Sequence, residues 1–129
     1  MEVQVFGTRK SAETRKALRF FAERRIRTHF VDLDERAASR GELLRFAQKF
    51  GVQRLVDRGS RRFQELGLAA ARLSDEHWLE KLQNEPLLLV MPLTRWQHKV
   101  TVGEDQTAWK EWIAAAQNSP MKPTSGSSR

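Results

Sequence analysis

The sequence predicts one α/β domain with a mixed four-stranded sheet and helices on both faces. Three observations predict it. Residues 1–31 carry a strand, a helix and a second strand, the pattern of a parallel βαβ unit. The middle of the chain carries helical patterns alone, which predicts a helical insert. The last third carries two strand patterns and one amphipathic helix, so a hairpin and a closing helix complete the domain.

The N-terminal βαβ unit is predicted element by element. Glu2–Phe6 alternates polar and apolar residues and ends at Gly7, as a short strand does. Ser11 is a candidate N-cap for a helix whose apolar residues recur at helical spacing: Ala17, Leu18, Phe21 and Ala22. Arg27–Val31 is the second predicted strand, parallel to the first.

The insert and the C-terminal elements follow. A capping box from Ser39 to Glu42 opens a helix that ends at Gly51, and shorter helices are predicted over 61–66 and from 75 to about 83. The apolar run 87–91, broken by Pro92, predicts a strand, and the alternation over 96–102 predicts its hairpin partner. A final helix opens at Asp105, and its apolar face carries Ala108, Trp109, Trp112, Ile113 and Ala116.

The last twelve residues have no apolar face. The sequence from Asn118 onward consists mostly of small and polar residues. Such a segment has nothing to bury against a core. We therefore predict a folded domain over 1–117 and a disordered tail over 118–129.

Composition excludes several classes of protein. The 129 residues contain no cysteine, which rules out disulfides, thiolate metal sites and a cysteine nucleophile. No apolar run approaches the roughly 18 residues of a membrane span, and Met1–Thr8 lacks the stages of a signal peptide. The three histidines share no ligand spacing, so we expect no metal. A cytoplasmic location is the default expectation.

The basic charge lies in one half of the chain. Residues 1–62 hold 16 Lys/Arg against 8 Asp/Glu, whereas residues 63–129 hold 7 against 8. An electropositive surface favours acidic protein faces, nucleic acid or anionic small molecules. Ordinary solubility charge explains the same excess equally well.

Four segments resemble one known family. They are Phe6–Ala17, Arg61–Gly67, Pro86–Pro92 and Val100–Gly103, in order and at similar spacing. On these segments the chain is similar to the arsenate-reductase-like (ArsC/Spx/YffB) family over about Val3 to Ile113. The resemblance implies a thioredoxin-like fold with a helical insert.

The departures from that family concern its chemistry. Ser11 stands where the family has its nucleophilic cysteine, and Thr14 stands at the second cysteine of Spx-type regulators. A serine hydroxyl stays protonated near neutral pH, whereas a thiol at a helix N-terminus becomes a thiolate. The resemblance therefore implies a cysteine-less, divergent member with no catalytic residue of the family kind.

The family's oxyanion site is also altered. In arsenate reductases, arginines from three segments hold the oxyanion, and the corresponding positions here are Asp57, with Arg58 beside it, Met91 and Glu104. A thioether and carboxylates do not attract an oxyanion. Arsenate reduction is therefore not expected. The resemblance still implies a cis-proline turn at Met91-Pro92, next to the start of the first helix.

Four arginines form a candidate partner-binding surface. Arg54, Arg58, Arg61 and Arg62 recur at helical spacing and would form one cationic stripe, although Gly59-Ser60 interrupts the pattern and favours a loop. In Spx-type regulators, basic residues and the insert contribute to docking on RNA polymerase. A protein partner, with RNA polymerase as one candidate, is implied by that resemblance.

Three functional hypotheses remain open. The first is a redox-inactive ArsC/Spx-like binding or regulatory module. The alternative is a reductase or transferase that uses glutathione or another small thiol, with Ser11 replacing the cysteine and Thr14, Arg15, Met91 and Pro92 lining the cleft. The first hypothesis requires no cofactor, and glutathione enters only under the alternative. Direct nucleic-acid binding is less favoured, since no recognition-helix or zinc motif accompanies the charge.

Overall fold

The computed structural model describes residues 1–118 and contains one mixed sheet of four strands. The strands are β1 (Glu2–Gly7), β2 (Arg27–Asp32), β3 (Leu93–Trp96) and β4 (Lys99–Val102), in the spatial order β2-β1-β3-β4. β1 and β2 are parallel, whereas β3 is antiparallel to both of its neighbours. The predicted mixed four-stranded sheet is confirmed.

Five α-helices lie within residues 1–118. They are α1 (Ala12–Glu23), α2 (Arg40–Phe50), α3 (Arg61–Glu65), α4 (Asp75–Asn84) and α5 (Gln106–Asn118). Because side chains alternate along β1, Val3 and Val5 join a core with α1 and α5. Phe6 belongs to a second core with α2, α3 and α4 on the opposite face. The helices therefore cover both faces, as predicted.

Serine residues begin the first four helices. Each hydroxyl oxygen accepts a hydrogen bond from the backbone N–H three residues later, which satisfies a free donor of the first turn. The predicted capping box is present, because Glu42 also bonds the backbone N–H of Ser39 at 2.8 Å. Arg36 holds both oxygens of Glu42, at 3.0 and 2.9 Å, and lowers the pKa of that carboxyl to about 2. The four capping serines are Ser11, Ser39, Ser60 and Ser74.

The strand predicted over 87–91 is wrong. Pro86–Leu88 forms a 3-10 turn, and only an isolated bridge pairs Leu89 with Val56. The backbone N–H of Val90 bonds the carbonyl of Leu55 at 2.9 Å, so this segment is tied to the insert and not to the sheet. Its apolar side chains are explained by burial, because Leu88 and Leu89 both belong to the second core. β3 begins only after Pro92.

The hairpin is also displaced from its prediction. The predicted strand over 96–102 is divided, because Trp96 ends β3 and Lys99 begins β4. Gln97 lies between them with a φ of 57°, the left-handed conformation of a tight turn. The alternation of polar and apolar residues continues through this turn, so the sequence pattern does not reveal it.

Tryptophans anchor both cores. Trp109 is fully buried and packs against the rings of Phe20 and Phe21, with ring centroids 5.3 and 5.2 Å away. Its indole N–H donates to the hydroxyl of Thr101 at 2.9 Å. All four tryptophans are core residues, since at most 8% of any of them is exposed.

The C-terminal prediction falls mainly on residues that the structure does not describe. Asn118 is the last residue of α5, and the remainder of the predicted tail lies outside the described residues. No helix between residues 1 and 118 combines the length and the apolar character that crossing a membrane requires.

Candidate functional site

The first helix and the proline turn meet where β1 ends. The peptide bond between Met91 and Pro92 is cis, as the resemblance implies. Leu93, the next residue, pairs with Phe6 near the end of β1. The hydroxyl of Thr8 donates to the sulfur of Met91 at 3.7 Å, so the turn contacts the loop that leads into α1.

Ser11 caps α1 in the position where a nucleophile would stand. Its Oγ accepts a hydrogen bond from the backbone N–H of Thr14 at 3.1 Å, and its own N–H donates to the carbonyl of Thr8 at 3.1 Å. The side chain is half-buried, and its hydroxyl proton is still free to donate. This arrangement stabilises the helix and can offer one hydrogen bond to an anion, but it generates no nucleophile.

Thr14 lies under the helix instead of lining an open cleft. It is fully buried, and its hydroxyl has no hydrogen-bond partner in the described chain. The side chain packs directly on the backbone of Gly7, where an added Cβ would lie only 2.3 Å from Thr14 Oγ1. Among the predicted cleft residues, Thr14 therefore faces the interior of the protein and does not line the cleft.

Cations form the outer rim of the site. Arg15 is exposed and donates to the carbonyl of Arg9 at 2.7 Å, which links the first turn of α1 to the preceding loop. The guanidinium of Arg9 lies 4.8 Å from the ring centre of Phe30. Lys16 forms an exposed ion pair with Glu13 at 3.4 Å, a contact of little energetic weight.

The three positions that the resemblance associates with oxyanion binding carry no guanidinium. Met91 presents its sulfur to Thr8, and Asp57 accepts a hydrogen bond from the backbone N–H of Gly59 at 3.1 Å. Glu104 accepts a hydrogen bond from the side chain of Gln106 at 2.9 Å, and Glu13 pairs with Lys16 at 3.4 Å. Two carboxylates near the start of α1 disfavour an arsenate or phosphate oxyanion.

The arginines of the insert lie on turns and at the start of α3, and they do not form one helical stripe. Arg54 lies in the 3-10 turn Val52–Leu55, Arg58 lies in the following turn, and Arg61 begins α3. Arg62 differs from them, because it forms ion pairs with Glu65 at 3.1 Å and Glu85 at 2.8 Å. We call Arg54, Arg58 and Arg61 the insert arginines.

Aromatic rings position two of the insert arginines. The guanidinium of Arg58 lies 5.6 Å from the ring of Phe63 and 5.8 Å from that of Trp78, and it also donates to the side chain of Gln53. The guanidinium of Arg54 lies 5.6 Å from the ring of Phe50. None of the three insert arginines forms an ion pair within residues 1–118. Their charges are therefore available to a partner.

No cluster of three or more His, Asp or Glu side chains in the described part of the chain is arranged to hold a metal ion.

Comparison with known proteins identifies the family. The model of the ArsC family matches residues 6–112, which is most of the chain. The chain belongs to the ArsC family. No curated protein matches it closely enough to add a more specific relative.

Several solved structures share its fold. A YffB protein superposes with a TM-score of 0.78 at 21% identity, covering 84% of this chain and 96% of its own. An arsenate reductase from Vibrio cholerae gives 0.75 at 22% identity, covering 86% and 97%. An ArsC-related protein from Brucella melitensis gives 0.64 at 19% identity, covering 88% and 95%. These likenesses establish the thioredoxin-like fold of this ArsC family member.

Sequence patterns did not identify two features of this ArsC family member. The first is the close contact of Gly7 with Thr14, for which the only available signal was a glycine at the end of a strand. The second is a cleft that brings Arg45 of α2 close to Arg95 of β3. Nothing in the spacing of those two arginines indicates their proximity, because it depends on how α2 packs beside the hairpin.

Proposed function

We propose that this ArsC family member is a redox-inactive binding or regulatory module that acts in the cytoplasm. The observation that carries the proposal is that the structural elements around the family's active site are retained, whereas the nucleophilic cysteine is missing. The cis-proline turn and the capped α1 are both present, while Ser11 replaces the cysteine and Met91 and Glu104 replace oxyanion-binding arginines.

We further propose that the insert arginines are its docking surface. Their guanidinium groups have no carboxylate partner in the described residues. The rings of Phe50, Phe63 and Trp78 limit the side-chain conformations of two of them, Arg54 and Arg58. Side chains that are already positioned lose less conformational entropy on binding. Such a surface fits an acidic protein face, and RNA polymerase is the first candidate because the chain resembles Spx-type regulators that dock on it.

Charge reversal at two of the three insert arginines should weaken docking. Arg54→Glu combined with Arg61→Glu changes two exposed side chains that form no ion pair among residues 1–118. The double variant loses the contact of Arg54 with the ring of Phe50 and should keep the fold. We expect binding to purified RNA polymerase, measured by biolayer interferometry, to weaken at least about tenfold, since like charges now face each other. Arg58 is left unchanged because its packing on Phe63 and Trp78 contributes to the fold.

The matched control is Arg19→Glu combined with Lys110→Glu. It makes the same change in net charge on α1 and α5, which cover the opposite face of the sheet. Equal weakening by both double variants would show attraction by net charge alone and would contradict a docking surface at the insert.

A small-thiol enzyme is the second candidate, and the geometry of Ser11 is what favours it. The hydroxyl proton of Ser11 is free at the positive end of α1, so it can donate to a thiolate. This candidate predicts saturable glutathione binding, detected by calorimetry, that weakens about tenfold in Ser11→Ala. A redox-inactive binding module should show no saturable binding up to millimolar glutathione, either in the natural chain or in Ser11→Ala. Thr8→Ala is the control, because it perturbs the neighbouring loop and leaves Ser11 in place.

A further inference from the structure

The face of the sheet below α2 carries an open polar cleft that the proposed docking function does not use. Strand register places His29, Gln4, Arg95 and Val100 in one row across β2, β1, β3 and β4. α2 packs beside β4, and a cavity of about 400 Å³ remains next to the hairpin. Its lining residues are Arg45, Gln48, Arg95, Gln97, His98 and Val100.

Two guanidinium groups share this cleft without a carboxylate partner. Neither Arg45 nor Arg95 forms an ion pair among residues 1–118. Within the described part of the chain, Arg95 donates only to neutral acceptors, the side-chain oxygen of Gln4 at 3.3 Å and the carbonyl of Gln97 at 2.7 Å. Several of its N–H groups therefore remain unused.

The α2 carboxylate whose charge acts on Arg95 is already engaged. Glu42 of α2 uses both side-chain oxygens for Arg36, at 3.0 and 2.9 Å, and one of them also accepts from the backbone of Ser39. Burial lowers the pKa of Arg95, the charge of Arg45 lowers it further, and Glu42 only partly opposes them. A bound anion would relieve this repulsion between the two guanidinium groups.

The other donors of the cleft favour a phosphate group over a carboxylate. Gln48, Gln97 and His98 add N–H groups to those of the two arginines. A phosphate has three acceptor oxygens and more charge than a carboxylate, and the planar guanidinium matches it with paired hydrogen bonds. Val100, which is buried, supplies an apolar floor for the remainder of a ligand.

The neighbouring cavity limits where an anion can lie. It measures about 250 Å³, shares Arg95 and Gln97 with the first cleft, and is also lined by Glu2. The Glu2 carboxylate repels an anion on that side. The cavity beside α2 is therefore the more favourable position, and its volume lies within the range of small-molecule sites.

We propose that the cleft between α2 and the β3–β4 hairpin binds a small phosphorylated ligand, with Arg45 and Arg95 as the principal phosphate contacts. This site is separate from both Ser11 and the insert arginines. Its existence does not depend on the proposed docking function.

Pyrophosphate is the probe for this site. The full chain is titrated at constant ionic strength while amide and arginine side-chain NMR signals are followed. We expect saturable shifts at Gln97, His98 and the Nε of Arg95. Inorganic phosphate should shift the same signals with weaker affinity, and citrate at least tenfold more weakly than pyrophosphate.

Two variants that each lose one positive charge test the assignment of Arg45 as a phosphate contact. Arg45→Gln removes one phosphate contact and should weaken pyrophosphate binding about tenfold or more. Arg19→Gln, on the opposite face of the sheet, should change it less than twofold. Arg45 is exposed and has no partner in the described chain, so its removal should leave thermal unfolding unchanged.

Four results would overturn the proposal. They are no saturable shift at millimolar pyrophosphate, equal weakening by the two variants, citrate binding as tight as pyrophosphate binding, and shifts centred on Ser11–Arg15.

Discussion

Replacing Trp109 by alanine should lower the free energy of unfolding by about 4 kcal/mol. Trp109 is fully buried, packs against Phe20 and Phe21, and donates its indole N–H to Thr101 at 2.9 Å. The substitution leaves a cavity in the core between α1, α5 and the sheet. It also leaves the buried hydroxyl of Thr101 without its donor, which adds to the loss. Urea unfolding followed by circular dichroism measures the change.

Variants separate packing from hydrogen bonding at this position. Trp109→Phe keeps an aromatic ring but removes the N–H, so we expect a loss of about 2–3 kcal/mol. Adding Thr101→Val removes the unpaired hydroxyl and should cost less than the sum of the two single changes. Ile113→Ala, at a half-buried position of the same helix, is the control and should cost about 1 kcal/mol. A loss below 1 kcal/mol in Trp109→Ala would contradict its placement in the core.

Gly7→Ala should destabilise the protein by about 2–4 kcal/mol, even though it adds one methyl group. The new Cβ would lie 2.3 Å from Oγ1 and 2.8 Å from Cγ2 of Thr14, which is itself fully buried. Either α1 must move away from β1 or Thr14 must leave its position. Both would disturb the end of β1 beside the cis-proline turn. Chemical unfolding measures the loss.

A second substitution tests the cause of that loss. Thr14→Ala removes both clashing atoms and leaves only a 3.1 Å contact with its Cβ, so the double variant should recover more than half of the lost stability. Gly41→Ala is the matched control, because the nearest atom to its added Cβ is 4.0 Å away and the residue lies in α2. It should be neutral or stabilising by about 0.5–1 kcal/mol. Failure of Thr14→Ala to rescue would show that Gly7 is required for another reason.

Local rules predicted most of the fold. Serine caps, the capping box of Ser39 and Glu42, and the alternation of β1 depend on residues close together in the chain, so the sequence alone reveals them. The run 87–91 was wrongly predicted as a strand, because an apolar segment can be buried by packing on the insert without joining the sheet. The turn at Gln97 was missed because the alternation of apolar residues continued across it.

The sites were predicted less completely, and the reason is sequence distance. The pairing of Arg62 with Glu85 joins residues 23 positions apart, and the contact of Arg95 with Gln4 joins residues 91 positions apart. Such contacts are set by how the insert and hairpin pack. For the same reason, spacing alone predicted Arg62 as part of the docking surface, whereas its charge is matched by Glu65 and Glu85. Thr14 was predicted in the cleft from the family pattern, and its burial follows from the missing side chain of Gly7.

The proposed function depends on which surface of this ArsC family member engages a partner. The most direct test is a pull-down from nuclease-treated lysate of the source organism, with mass spectrometry of the retained proteins. Three baits are compared: the natural chain, Arg54→Glu with Arg61→Glu, and Ser11→Ala. We predict that the natural chain and Ser11→Ala retain the same defined protein, RNA polymerase subunits being the first candidate, and that the charge-reversed chain loses it. Retention by the charge-reversed chain, or loss in Ser11→Ala, would contradict docking through the insert arginines.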